Sequence, residues 1–299
     1  MTPAMTEMAP LLQDAALWSG FRDDGCVQIP LLPPSAVAAL LEAFRHFHPQ
    51  LPASGFVSST YSPDLGYKRA VSECITQIIR PHLDPIFQRN RILGAAFLYK
   101  MPGPHSQLPL HQDWTVVDED RFIAANVWIP LVDANAENGT LHVLPGSHRV
   151  MRSIRAPTLP FCYSGHEYLM QQHMRPLPTR AGEAVVVNQA TAHYSPANMS
   201  ESIRPAITVG VVSSEARLRF YYRDRQRNDG RLEMFEQEDD FFLRFDDFHR
   251  DIFARPSFGR AVAELDYVDP SLSATEVKAR IDECRRLCPT PLRGEHLCA

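Results

Sequence analysis

His111 and Asp113 stand two apart in LPLHQDW, His193 follows eighty-two residues later, and Arg204 lies eleven beyond it in HYSPANMSESIRPAITVG. Two imidazoles and one carboxylate on one side of a metal leave three coordination positions open. Non-haem Fe(II) uses that arrangement to take up an oxidisable co-substrate and O₂. An arginine close behind the second histidine adds a planar fork of N–H donors, which matches a carboxylate better than lysine does. The four residues read as an iron site with a socket for an acidic co-substrate.

Spacing alone is weak support, because 12 His among 299 residues produce roughly one His-x-Asp pair by chance. A decoy is present: His82 and Asp84 in ECITQIIRPHLDPIF share the spacing. Their segment is helical in character, broken by Pro81 and Pro85, and residues two apart on a helix point about 200° apart. His111 and Asp113 instead lie between two strand-like runs, ILGAAFLYKM and RFIAANVWIPLV. In extended chain, residues i and i+2 share a face, so both side chains reach one ion.

Any other histidine could return to this site in space, and His193 is preferred for its neighbours. It follows the apolar run AGEAVVVNQATAH and precedes a strand beginning just after Arg204. A loop between these strands puts His193 and Arg204 at opposite ends of one pocket. Lys100 and Asn126, each in a strand flanking the first metal segment, are candidates to face the same pocket. His142, His148, His166 and His173 receive no role beyond a turn cap for His148 in PGSHR.

These segments resemble the phytanoyl-CoA dioxygenase family of Fe(II)/2-oxoglutarate oxygenases. DDGCVQIPLLPPSAVAALLEAF is similar to the family's opening strand and first helix, YKMPGPHSQLPLHQDW to its first metal segment, and NVWIPLVDANAENGTLHVLPGSHR to its central hairpin. The likeness covers about residues 20–222. It implies His111, Asp113 and His193 as iron ligands and Arg204 as the anchor for the distal carboxylate of 2-oxoglutarate. Ser195 would assist that anchor, and Trp128 would line the co-substrate pocket. The implied chemistry consumes O₂, decarboxylates 2-oxoglutarate to succinate and CO₂, and attacks a substrate C–H bond. Halogenating relatives carry Gly or Ala where Asp113 stands, so hydroxylation of a small molecule is the expected outcome.

Between Ile92 and Tyr222 short strand-like runs alternate with turn signals such as Asn138-Gly139 and Pro145-Gly146, with no long helical pattern. The expected fold is mainly β with flanking helices: a double-stranded β-helix, or cupin-like jelly roll, with its core at about 92–222. A chain of 299 residues, 44% hydrophobic, fits one catalytic domain over 1–299. Pro33-Pro34-Ser35 opens a helix whose Val37, Leu40, Leu41, Phe44 and Phe47 form a core-facing stripe. Residues 49–67 read as a long loop and 151–180 as an insertion over the pocket mouth. Residues 223–299 read as a C-terminal helical extension with solvated charged faces.

A net charge of −5 offers no footprint for nucleic acid or an anionic membrane. With no signal-like or membrane-length apolar segment, a cytoplasmic location and a small-molecule partner are expected. Six cysteines in 299 residues read as reduced thiols, and Cys284, Cys288, His296 and Cys298 are irregularly spaced for a zinc site. Three alternatives remain open: desaturation, epoxidation or cyclisation with the same cofactors; a metal-dependent hydrolase or isomerase; and a metal-binding jelly-roll protein without catalysis. An anionic-substrate clamp made by some of the six arginines from Arg217 to Arg231 is a further reading.

Overall fold

The computed structural model describes residues 10–227, 229–245 and 252–289. Its elements begin with α1 (Ala15–Asp24), β1 (Cys26–Pro30), α2 (Pro34–Phe47), β2 (Phe56–Ser58) and α3 (Leu65–Leu83). There follow β3 (Asn90–Lys100), β4 (Leu108–His111), β5 (Ala124–Pro130), β6 (Leu141–Val143), α4 (Ser147–Val150) and α5 (Glu167–Gln171). Next come β7 (Arg175–Leu177), β8 (Glu183–Asn188), β9 (His193–Ser195), β10 (Arg204–Ser213) and β11 (Leu218–Tyr222). The last are β12 (Arg231–Gln237), α6 (Phe241–Arg244), β13 (Arg260–Asp266) and α7 (Ala274–Leu287).

A large antiparallel sheet in the order β1-β8-β5-β10-β3-β2 and a small one in the order β4-β9-β6-β7 form the two layers of the jelly roll. Side chains alternate between the faces of a strand, and the large sheet's register sorts them into rows. On its outer face Val127, Ile129, Ile207, Val209 and Phe97 are fully buried in one cluster with Leu40 of α2 and Val71, Ile75 and Ile79 of α3. The inner face carries the rows Val187–Asn126–Gly210–Gly94 and Val185–Trp128–Thr208–Ala96. A one-residue slip would exchange core and cavity faces, so burial of the outer row holds the inner row in place.

The helix stripe expected from sequence buries Val37, Leu40 and Phe44, with Leu41 and Phe47 packed beside them. Both His82 and Pro81 lie within α3, which runs on to Leu83 before Asp84 ends it, so Pro81 does not break the helix. The strands reach beyond residues 92–222: β1 and β2 join the large sheet from before that range. The stretch 49–67 is not all loop, since it contains β2 and the first turn of α3. The insertion 151–180 likewise contributes β7 to the small sheet.

The C-terminal region departs most from expectation. Instead of helices alone, β11, β12 and β13 make a third antiparallel sheet. The charges that suggest solvated helix faces are cross-strand partners here, with Arg217 and Arg260 on Glu236 and Arg231 on Glu264. Opposite charges facing each other across a ladder support strand pairing. Arg219 pairs with Asp118, Arg223 with Asp269 and Arg227 with Glu264, while Arg225 lies over Phe253. None of the six arginines lines the central cavity, so they form no clamp there. Helix α7 does pack as expected, burying Val277, Ile281 and Cys284 against Leu144, Tyr163 and Met170. His296 and Cys298 lie outside the described residues.

Candidate metal centre

Antiparallel pairing of β4 with β9 closes the long gap between the histidines by placing His111 directly opposite His193. Their ring centroids are 4.2 Å apart. Asp113 follows two residues after His111, fixed by its backbone N–H to the Gln189 carbonyl at 2.8 Å. Between them Gln112 turns the other way, only 1% exposed, and donates to the Met151 carbonyl at 3.2 Å. The Asp113 carboxylate stands 3.7 Å from His111 Nε2 and 3.9 Å from His193 Nε2. One donor atom from each residue lies within 4.8 Å of the others.

Each ring is oriented by its own strand. His111 Nδ1 lies 2.8 Å from the Pro109 carbonyl and His193 Nδ1 lies 2.9 Å from the Thr191 carbonyl. A carbonyl only accepts, so Nδ1 bears the proton and the Nε2 lone pair is directed at the shared point. Desolvation, then the neighbouring His193, pulls His111 down to about 4, so it is neutral at pH 7, the form that binds a metal. Asp113 is steadied from two sides. Asn126 Nδ2 donates to Oδ2 at 2.8 Å, and Arg155 Nε donates to the Asp113 carbonyl at 2.7 Å. Arg155, 1% exposed, is itself gripped by both Glu119 carboxylate oxygens.

His111, Asp113 and His193 open into a cavity of about 380 Å³ between the two sheets. Arg204 begins β10 on the same inner face, 2% exposed, and its Nε and Nη1 have no hydrogen-bond partner among the described residues. The guanidinium lies over the Trp128 ring, 5.3 Å from its centroid. Trp128 pairs with Thr208, so the Arg204 side chain reaches along its strand toward that row. Burial lowers Arg204 to about 10, leaving it charged at neutral pH. A buried cation with idle donors is costly to leave unpaired, and a carboxylate would satisfy it.

Ser195 and Trp128 also line the cavity. Asn126 lines it too, with its amide committed to Asp113. Lys100 sits elsewhere than expected. It pairs with Arg204 in register, but its ammonium donates to the carbonyls of Ser106, Ser195 and Pro196 at 2.7, 3.0 and 2.6 Å and is off the cavity wall. Those carbonyls draw the ammonium toward the loop after β9. Burial, then Arg204, lowers Lys100 to about 7.

Several residues that shape the site carry no local sequence signal. Gln189 lines the cavity with its Oε1 unpartnered, and Arg155 braces Asp113 from forty-two residues away. The insertion 151–180 contributes Phe161 to the wall, and the stretches 49–67 and 223–299 add Thr60 and Tyr61, and Phe242 with Phe245. His148, expected to cap a turn, instead donates from Nε2 to the Arg22 carbonyl and joins α4 to α1.

A jelly roll carrying two histidines and one carboxylate on adjoining strands is the class of protein that holds a mononuclear metal with open positions. The chain's residues 62–206, which contain all four central site residues, match the family model for phytanoyl-CoA dioxygenase (PhyH). Through this region the chain is similar to the phytanoyl-CoA dioxygenase family. It is 33% identical over 132 residues to phytanoyl-CoA dioxygenase domain-containing protein 1 of Danio rerio, covering 42% of this chain and 45% of that one. It is 29% identical over 133 residues to phytanoyl-CoA dioxygenase 1 of Oryza sativa subsp. japonica, covering 43% and 47%. The chain thus spans about half the length of these curated relatives. In fold it is similar to the non-haem α-ketoglutarate-dependent carbocyclase SnoK from nogalamycin biosynthesis, with a TM-score of 0.52, 20% identity and coverage of 71% and 90%. Among the described residues no helix is long and apolar enough to cross a membrane.

Proposed function

We propose that this chain is an Fe(II)- and 2-oxoglutarate-dependent dioxygenase that hydroxylates an unactivated C–H bond of a small molecule. The observation that carries this reading is Arg204: a buried guanidinium with two idle nitrogens, in the same cavity as the His111/Asp113/His193 set. Such a socket beside the metal set favours a chelating keto acid with a second carboxylate over a hydrolytic zinc site. The donor set suits Fe(II), a borderline metal served by imidazole and carboxylate.

His111, Asp113 and His193 would hold the metal through Nε2, one carboxylate oxygen and Nε2. Arg204 would take the far carboxylate of 2-oxoglutarate, with Ser195 beside it and Trp128 beneath. Lys100 would add charge from behind Arg204 while holding the loop after β9. Asn126 would keep the Asp113 carboxylate turned toward the metal. When bound, iron would activate O₂, which is the oxidant, and 2-oxoglutarate would supply two electrons to it on decarboxylation to succinate and CO₂. The residues of the chain orient these partners and keep water from the site. Asp113 fills the position where a halide would bind, which favours hydroxylation.

The test is anaerobic titration of the metal-free protein with Fe(II) and 2-oxoglutarate, following the visible charge-transfer band of a chelated keto acid. Wild type is expected to develop the band. Arg204→Ala should need at least tenfold more 2-oxoglutarate, and Asp113→Ala at least tenfold more iron. Bound metal with no band would reject the reading.

A further inference from the structure

The inner face of the large sheet is divided along its length. Arg204 and Gly210 lie on the same face of β10 six residues apart, about 20 Å along a strand. The Arg204 end is charged. At the other end β3 and β10 place Gly94 directly opposite Gly210, and neither carries a side chain into the cavity. This bare patch adjoins Asn126, the amide that holds the Asp113 carboxylate. It therefore lies beside the metal ligands, on the side away from Arg204.

The space above the glycines is narrow, with the Leu243 side chain 3.6 Å from where a Gly94 Cβ would lie. A Cβ built on Gly210 would lie 3.5 Å from Leu93 and 3.8 Å from the Asn126 oxygen, ordinary contact distances, and its φ is not in the left-handed range. A larger side chain would project into the cavity. Phe242 of α6 and Phe245, which follows that helix, form one wall, tied down by the buried Lys68 ammonium donating to the Phe245 carbonyl at 3.1 Å. Trp114, edge-on to Phe245 with centroids 5.1 Å apart, forms another. Among the described residues of the whole cavity lining, Arg204 is the only Lys or Arg and Asp113 the only acid. The cavity's 380 Å³ is at the small end for ligand sites, usually ~300–1,000 Å³, and it must also admit a co-substrate.

Resting on the oxygenase reading above, we infer that the part of the substrate presented for oxidation is uncharged and largely apolar, and lies on the Gly94–Gly210 floor between Trp114 and the Phe242/Phe245 wall. A carboxylate or phosphate placed there would be desolvated with no cation to receive it. The glycine pair sets how bulky that part is.

Equilibrium dialysis of the full-length, metal-free protein with 2-naphthalenemethanol and with 2-naphthoate tests this, since the probes share a ring system and differ in charge. The alcohol is expected to bind, and Gly210→Val to weaken it at least tenfold. Naphthoate, where held, should respond to Arg204→Ala and not to Gly210→Val. Phe242→Asp, on the half-buried α6 wall rather than in the sheet, should also weaken the alcohol at least tenfold, and thermal melts identify any variant that fails to fold. Failure of the alcohol to bind, its indifference to both wall and floor variants, or loss of naphthoate with Gly210→Val would each overturn the inference. The iron–2-oxoglutarate band is read separately. A normal band with the wrong probe pattern rejects the substrate class alone. The expected probe pattern without a band rejects the oxygenase reading and leaves the apolar subsite standing.

Discussion

Asn126 shows how a residue that binds nothing reactive can set the properties of the centre. Its amide donates to Asp113 Oδ2 at 2.8 Å, and Gln189 approaches the Asn126 oxygen at 3.4 Å from behind. Partners of this kind are typically worth 10–100-fold in metal affinity. Asn126→Ala is therefore expected to weaken Fe(II) or Mn(II) binding by that range with little change in fold, as read by competition with a chelating dye. Lys100 makes a different prediction. Its ammonium is buried beside Arg204 and lowered to about 7, against about 10.4 in an unfolded chain. Between those values the unfolded chain holds one more proton, so this group's contribution to stability rises with pH, by up to ~1.4 kcal/mol per unit. Urea unfolding of metal-free protein from pH 7 to 9 should show that slope, and Lys100→Met should flatten it. The same substitution leaves three carbonyls without their donor and should cost ~1–3 kcal/mol at pH 7.

At the scale of elements, the site depends on joints far from the metal. Gly25 ends α1 at φ 80°, and a Cβ there would strike the Thr191 hydroxyl and the His148 ring. Thr191 also supplies the carbonyl that orients His193. Gly25→Ala is expected to destabilise the protein by ~1–3 kcal/mol and to weaken metal binding as well, a pairing that denaturation and metal titration can check together. Arg155 ties the segment after α4 to the Asp113 backbone while its charge is balanced by Glu119. Arg155→Met strands that carboxylate, so a loss of ~3–5 kcal/mol in urea denaturation is expected.

For the whole molecule, the metal and co-substrate would join the β4–β9 pair of the small sheet to β10 of the large one. A ligand at 100 times its Kd adds ~2.7 kcal/mol to the folded state. Melting temperature is expected to rise with Mn(II), rise further with 2-oxoglutarate only when metal is present, and fall back on chelation. In Arg204→Ala the second rise should disappear while the first persists, as differential scanning fluorimetry can show.

The chemistry-bearing set was legible in the sequence because a metal site is read from residue type and extended-chain spacing. His111 with Asp113 two residues later, an arginine opening a strand, and alternating runs that imply paired strands are local facts. The decoy at His82 was dismissed on helical geometry alone, and α3 contains it. The C-terminal strands were misread because Arg and Glu in a ladder and on a solvated helix have the same composition, and only register distinguishes them. Position in space was likewise decided by tertiary pairing: β4 against β9 brings His111 to His193, and β10 against β5 and β3 puts Trp128 beneath Arg204 and Gly210 beside Gly94. Lys100 turned to backbone carbonyls contributed by a loop ninety-five residues on. Sequence determined which groups can do chemistry, because that follows from covalent structure. Only the folded chain decided which donors stay unpaired and which space stays empty, because both depend on what every other segment has already filled.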